Sequence, residues 1–148
     1  MLSALHRARQ TLAAAPRGAT EEPPPDVLAA YVRSWETRDI DGLVALLREN
    51  VVFAMPPHAT WFRGEEAVRA FLQTARFGAF WTRGLRVTHT RANGLPAIVF
   101  YAAAPDDDAY RLHSIQLLRF EDGAVAEATT FIGPSYLRGF AVAPMLER

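Results

Sequence analysis

The 148-residue sequence contains neither cysteine nor lysine. Without thiols there are no disulfides, no cysteine nucleophile and no zinc–thiolate site. Without lysine, a Schiff base, a phosphate-loop lysine and a serine–lysine dyad are excluded. Charge of either sign is not in surplus: 16 arginines balance 16 acids, and the pI is near 6.9. An autonomous nucleic-acid-binding domain carries a basic excess, so no direct DNA binding by this chain is expected. No apolar run reaches the roughly 18 residues of a membrane span, and His6, Arg7 and Arg9 interrupt the opening stretch, which argues against a secretory signal. These absences point to a cytoplasmic protein without membrane contact.

What is present suffices for a folded domain, since 50% of the residues are hydrophobic and 11% aromatic. Leu2, Leu5, Ala8 and Leu12 fall near one helical stripe, with His6, Arg7 and Arg9 pointing elsewhere. This segment reads as the end of an amphipathic helix without a partner, or equally as an ordinary N-terminal helix. Residues 16–25 hold four prolines and a glycine with no apolar periodicity, a semi-rigid tether. Asp26 is then placed to cap a helix carrying Val27, Leu28, Tyr31, Val32 and Trp35 at three- and four-residue spacing. Asp39 or Asp41 caps a short second helix with Leu43, Leu46 and Leu47, ending at Asn50 before a strand over Val51 to Met55, which Pro56-Pro57 terminates. Gly64-Glu-Glu opens a third helix, acids in its first turn, with Val68, Phe71, Leu72 and Ala75 on one side, running to about Arg76.

From Leu85 the pattern changes to strands: Leu85 to Arg91, Ala97 to Ala104, Tyr110 to Phe120 and Val125 to Ile132. Asn93-Gly94, the turn at residues 105–108 and Glu121-Asp-Gly123 join them as an antiparallel meander. Helices first and sheet second give an α+β domain. Strict alternation over Tyr110 to Phe120 sets His113 and Gln116 on opposite faces and leaves both faces apolar near the middle. One face should cover the helices. The other is expected to meet a protein surface, either a second copy, making a homodimer through the sheet, or a neighbouring domain. After Gly133-Pro134 a tail from Ser135 onward offers Tyr136, Leu137 and Phe140 for docking.

Candidate chemistry is sparse. His58, His89 and His113 fit no compact metal motif, and the acids at 106–108 read as a solvated turn, so no metal and no cofactor are expected. His113 and Tyr101, on adjacent strands, could line a pocket together or bond to backbone in a half-buried sheet. Trp61, Phe62, Phe77, Phe80 and Trp81 surround the third helix as core or as a pocket mouth. Glu36 and Glu127 lie near apolar elements and could pair with neighbouring arginines.

Several stretches, weak singly, combine in order: Tyr31-Val-Arg-Ser-Trp35, Asp39-Ile-Asp-Gly-Leu43, Val51 to Pro57 with Trp61, Arg63-Gly64, and Asp122 to Glu127. Over about Asp26 to Ile132 the chain resembles the SnoaL-like branch of the nuclear-transport-factor-two superfamily. The segments Arg91 to Ala97 and Met55-Pro-Pro57 with Trp61 resemble the SnoaL-like domain fused behind extracytoplasmic-function sigma factors. Residues 3–12 separately resemble the end of the promoter-reading region of such factors.

The resemblance implies a cone-shaped SnoaL-like fold, three N-terminal helices packed on a curved antiparallel sheet. It implies a division into a promoter-reading stub at 1–15, a linker at 16–25 and the SnoaL-like domain at 26–148. It further implies an accessory domain that modulates transcription initiation through the sigma-factor core domains and RNA polymerase, with a pocket for a small hydrophobic ligand. Candidate pocket-lining residues are Trp35, Trp61, Tyr101, His113, Gln116 and Thr130. In the cyclases of this family the closing strand reads acid, histidine, aromatic, aspartate, and the aspartate is the acid/base group. Here Ala128 stands at the histidine position and Thr130 at the aspartate position, and a threonine hydroxyl needs a partner base to act at neutral pH. No catalytic residue is therefore assigned. The alternative is a free-standing isomerase, cyclase or epoxide hydrolase with a pocket built from His113, Tyr101, Gln116 and Glu127.

Overall fold

A computed structural model of the chain describes residues 20–56, 58–103, 106 and 108–147. The opening helical stripe at residues 2–12 and the start of the tether lie outside the described residues. The end of the tether does not hang free: Glu22 pairs with Arg91 at 2.8 Å, and Glu21 accepts from the Gly123 amide at 3.4 Å. Exposed pairs of this kind stabilise by at most about 1 kcal/mol each.

Helix α1 spans Pro25–Thr37. It starts ahead of Asp26, because Pro25 occupies the first helical position, where its fixed φ suits the helix and its missing N–H is no loss. Asp26 thus sits inside the first turn and is not the cap. Helix α2, Ile40–Val44, is capped by Asp39, whose side chain accepts from the Gly42 amide at 2.8 Å. A Cβ at Gly42 would stand 2.2 Å from the capping carboxylate, so glycine is required there. Asp41 instead pairs with Arg69.

The single helix expected from Gly64 to Arg76 is two helices, α3 over Glu65–Leu72 and α4 over Ala75–Thr82. Thr74 divides them. Its hydroxyl donates to the Phe71 carbonyl and accepts from the Phe77 amide, closing one helix and capping the next. Seven strands form one sheet: β1 Leu47–Ala54, β2 Trp61–Arg63, β3 Leu85–Ala92, β4 Leu95–Ala103, β5 Ala109–Glu121, β6 Ala124–Ile132 and β7 Met145–Glu147. The meander β3-β4-β5-β6 is antiparallel throughout. Its turns at Asn93-Gly94 and Asp122-Gly123 take positive φ at both positions, as tight hairpins of right-twisted strands require. Strand β1 begins at Leu47, earlier than expected, and runs parallel to β6, with β2 as the outer edge.

Two cores result. The helices and one face of the sheet enclose Tyr31, Trp35, Leu43, Val68, Leu72, Trp81, Ile98, Phe100, Leu118 and Phe120. Glu36 at the end of α1 accepts from the Val87 amide of β3 at 3.1 Å, which ties helix to sheet and replaces the expected arginine partner. The other face carries Ala97, Val99, Tyr101, Ile115 and Leu117. That face is covered by the chain itself. Helix α5, Pro134–Leu137, and the segment after it lay Leu137, Phe140, Val142 and Leu146 across the sheet. Strand β7 then pairs with Ala109–Arg111 of β5, beyond the end of the β6 pairing. The apolar second face thus owes its character to an intramolecular contact. The pattern that suggested a homodimer or a neighbouring domain is accounted for without either.

Truncation after Gly133 is expected to expose this face and to convert a monodisperse protein into a self-associating one, read by sedimentation velocity. An unchanged sedimentation coefficient would mean that the tail contributes little cover.

Candidate functional site

A cavity of about 330 Å³ lies between the helices and the sheet. Its floor comes from alternate residues of four strands: Phe53 and Met55 around the end of β1, Phe100 of β4, Ser114 and Gln116 of β5, and Thr130 and Ile132 of β6. Cross-strand register explains the grouping, since Phe100 pairs with Ser114, and Gln116 with Thr130, so each pair shares a face. Trp35 of α1, Phe71 of α3, and Phe77 and Phe80 of α4 form the walls. His58 and Arg76, both exposed, mark the rim with Thr60.

His113 joins the cavity through a bulge. Phe100 pairs with Ser114 and Tyr101 with Leu112, which leaves His113 as the extra residue in β5. A bulge interrupts the two-residue alternation, so His113 and Ser114 both line the cavity. The strict alternation expected for residues 110–120, which separated His113 from Gln116, fails at this point. His113 Nδ1 lies 3.0 Å from Ser114 Oγ, and its ring stands against Phe80 with centroids 4.6 Å apart.

Plain alternation along β4 keeps Tyr101 out of the site, since its neighbour Phe100 faces the cavity. Tyr101 falls on the tail-covered face, and its hydroxyl donates to the Ala143 carbonyl at 3.0 Å. Trp61 is also outside the cavity. In β2, Phe62 turns inward to stack on Phe71 at 4.5 Å, so Trp61 points outward, 59% exposed, with the Arg63 guanidinium 5.9 Å from its ring centre. Glu127 lies beside Arg119 at 3.3 Å and does not line the cavity. Of the six candidates, the structure gathers Trp35, His113, Gln116 and Thr130. Phe53, Phe100, Arg76 and His58 were not singled out as lining residues. For Phe100 the signal was available, because alternation and hairpin register place it opposite Ser114, which lines the cavity with Gln116, whereas Phe53 arrives through the parallel pairing of β1 with β6. Among the described residues no group of three potential metal ligands occurs.

A buried chain of hydrogen bonds runs through the floor. The Tyr31 hydroxyl donates to Gln116 Oε1 at 2.5 Å, and Gln116 Nε2 donates to Thr130 Oγ1 at 2.9 Å. Burial pushes the Tyr31 phenol well above its ordinary value, with the Trp35 indole a smaller opposing influence. Tyr31 therefore stays a neutral donor. Trp81 donates its indole N–H to the Trp35 carbonyl at 3.1 Å, whereas the buried Trp35 indole N–H has no hydrogen-bond partner of acceptable geometry. Burial, and secondarily the Arg83 charge, hold the His113 imidazole below its ordinary value of 6.5. The arrangement offers neutral and cationic hydrogen-bond donors around an aromatic chamber. None of the described lining residues is a carboxylate.

Two outcomes follow from this geometry. Replacing Gln116 with Leu strands the Tyr31 hydroxyl and is expected to cost about 1–3 kcal/mol in denaturant unfolding. Adding Tyr31→Phe should recover part of that loss, whereas strictly additive losses would mean the two groups are uncoupled. In an NMR titration the His113 resonances, identified by their loss in His113→Gln, should move with a midpoint below 6.5. Because the folded midpoint is lowered, this group favours folding above pH 6.5 and opposes it as pH falls through that value.

Comparison with known proteins adds the lineage. The sequence profile of the SnoaL-like domain matches residues 28–128. The ECF RNA polymerase sigma factor SigG of Mycobacterium tuberculosis is 32% identical over 123 residues, covering 78% of this chain and 33% of the relative. The chain thus spans about a third of the length of that curated relative. Among solved structures, a putative ketosteroid isomerase from Kribbella flavida aligns with a TM-score of 0.56 at 20% identity, covering 83% of this chain and 92% of that one. An LEH-like epoxide hydrolase of M. tuberculosis aligns with a TM-score of 0.54 at 15% identity, covering 75% of this chain and 83% of that one. These likenesses show a common fold. Among the described residues no helix is long and apolar enough to cross a membrane.

Proposed function

The chain belongs to the SnoaL-like family, and from that premise we propose that it acts as the C-terminal accessory domain of an extracytoplasmic-function sigma factor. In this reading it modulates transcription initiation in the cytoplasm through contacts with the sigma-factor core domains and RNA polymerase. The observation that carries the reading is the 32% identity to the sigma factor SigG, sustained over 78% of the chain. Residues 3–12 support it, because their sequence resembles the end of a promoter-reading region. The division is then a stub at 1–15, a linker at 16–25 and the SnoaL-like domain at 26–148.

The cavity gives such a domain a means of control. A ligand shifts docking only if it binds the docked and undocked states with different affinity. A chamber walled by three helices and floored by four strands responds to filling by moving helices, and helix positions define the outer surface that a partner would read.

The second reading is a free-standing isomerase, cyclase or epoxide hydrolase acting on a small hydrophobic substrate. The open aromatic cavity favours it. It lacks a base of the usual kind: Thr130 occupies the floor as a hydrogen-bonded hydroxyl, and Glu127 and Tyr101 lie outside. His113 would have to serve.

The test is in vitro transcription by the native-length polypeptide from its source cells, with and without residues 26–148. Initiation is expected to change at least about fivefold on removal, the lower range of allosteric coupling. Unchanged initiation, or an immunoblot showing the native polypeptide to be no larger than 16.4 kDa, would overturn the accessory-domain reading and move the enzyme forward.

A further inference from the structure

The hydrogen-bonding capacity left open in the cavity is mostly that of donors. The Trp35 indole N–H is sealed from the open space and lies close enough to the Tyr31 phenol to oppose the effect of its burial, so it is not counted among the open donors. Thr130 accepts from Gln116 and retains its own hydroxyl proton, and the Gln116 amide retains a second N–H beyond the one given to Thr130. His113 and Ser114 engage each other. The Gln116 oxygen, the strongest side-chain acceptor on the floor, is taken by Tyr31. An unpartnered buried donor costs free energy, so a guest that brings acceptors gains more here than one that brings donors.

Charge points the same way. Arg76, in the first turn of α4, lies at the rim, exposed and without an ion-pair or hydrogen-bond partner among the described residues. Arg48 is engaged by Glu121 and Asp122, Arg69 by Asp41, Arg91 by Glu22 and Arg119 by Glu121 and Glu127, so these four are not free to meet a guest. No described lining residue supplies a carboxylate to Arg76 from within. Arg83 adds a second positive charge that acts on His113, but among the described lining residues the cation is Arg76, whose guanidinium fork suits a carboxylate in particular. The phenylalanines at 53, 71, 77, 80 and 100 leave the rest of the chamber apolar. At about 330 Å³ the space is near the lower end of ligand sites, which span about 300–1,000 Å³.

We propose that the cavity binds a compact apolar monocarboxylate, an aromatic or medium-chain acid whose carboxylate sits against Arg76 and whose body lies among the phenylalanines. As a regulatory ligand this acid rests on the accessory-domain reading above. As a bound molecule it does not. The neutral state of His113 at physiological pH keeps the inner chamber uncharged, so the anionic end is drawn to the rim and the apolar end inward.

Calorimetric titration of the 148-residue chain with phenylpropionate and octanoate, and with the primary amide of each, tests the assignment. Saturable binding of at least one acid is expected, with its amide about tenfold weaker or more, a difference of about 1.4 kcal/mol. Arg76→Gln, at an exposed position that leaves the core intact, should bring acid and amide to equal affinity. Arg138→Gln, an exposed arginine on the tail, should leave the preference unchanged. Equal binding of acid and amide by the wild type, equal losses in both variants, or no saturable binding of either acid would overturn the proposal. These readouts need no polymerase, so a failed titration leaves the transcription test standing, and a failed transcription test leaves acid binding standing.

Discussion

One buried side-chain chain, Tyr31 to Gln116 to Thr130, sets the geometry on which the rest of the domain depends. It joins the first helix to two central strands through the middle of an otherwise apolar core. Each bond contributes only about 0.5–1.5 kcal/mol net, but an unmet member costs about 1–3 kcal/mol. The chain therefore acts mainly as a selector. Sliding β5 by one residue would turn Gln116 to the tail-covered face and strand the Tyr31 hydroxyl among aromatics, so the sheet register and the helix position specify each other. Apolar packing of Trp35 against Phe77, Trp81 and Phe100, with ring centroids 5.0–5.8 Å apart, supplies bulk attraction without that discrimination.

The bulge at His113 is the second constraint, and it separates what could be read from sequence from what could not. The four meander strands between Leu85 and Ile132 were legible, because β-branched and aromatic runs between Asn-Gly and Asp-Gly turns leave little choice, whereas β7 at Met145–Glu147 was not. The α+β order and the helix containing Trp35 were legible for the same local reasons. A bulge is different: it inserts one residue without any necessary glycine, and nothing in Leu112-His-Ser114 announces it. Its effect is nonetheless large. It sends Leu112 to the tail-covered side, keeps His113 with Ser114 at the cavity, and so changes the membership of the site. Four of the six candidate residues came together because Trp35, Gln116 and Thr130 obey plain periodicity and His113 does so only through the bulge. The break at Thr74 was hidden likewise, since Ala75 to Phe80 continues an apolar helical pattern and only the hydroxyl's two backbone bonds reveal the cap.

The tail resolves a second ambiguity. A strand apolar on both faces signals a second covering layer, yet sequence pattern cannot distinguish a partner molecule from the same chain returning later. Leu137, Phe140, Val142 and Leu146 are spaced irregularly because they fall in turn on a short helix, a turn, a loop and a three-residue strand, and so they present no single periodicity to read. The second sheet face is thus covered by the chain itself, and the large exposed hydrophobics among the described residues lie at Trp61 on the edge strand β2 and at Tyr136 and Met145 on the tail.

That asymmetry bears on how the domain could transmit a signal. The cavity wall is made by α1, α3 and α4, and α4 is a short helix held by a threonine cap, by aromatic contacts among Phe77, Phe80 and Trp81, and by the Trp81 indole bond to the Trp35 carbonyl of α1. Phe77 and Phe80 face the cavity and Arg76 stands at its rim, so any guest bears on α4 before it bears on the rigid floor. The floor is pinned by the Tyr31–Gln116–Thr130 bonds, and α1 is pinned with it. Occupancy of the cavity is thus felt first at α4, through Phe77, Phe80 and Arg76, while the Trp81 bond to α1 and the Tyr31–Gln116–Thr130 chain hold the helix to the floor.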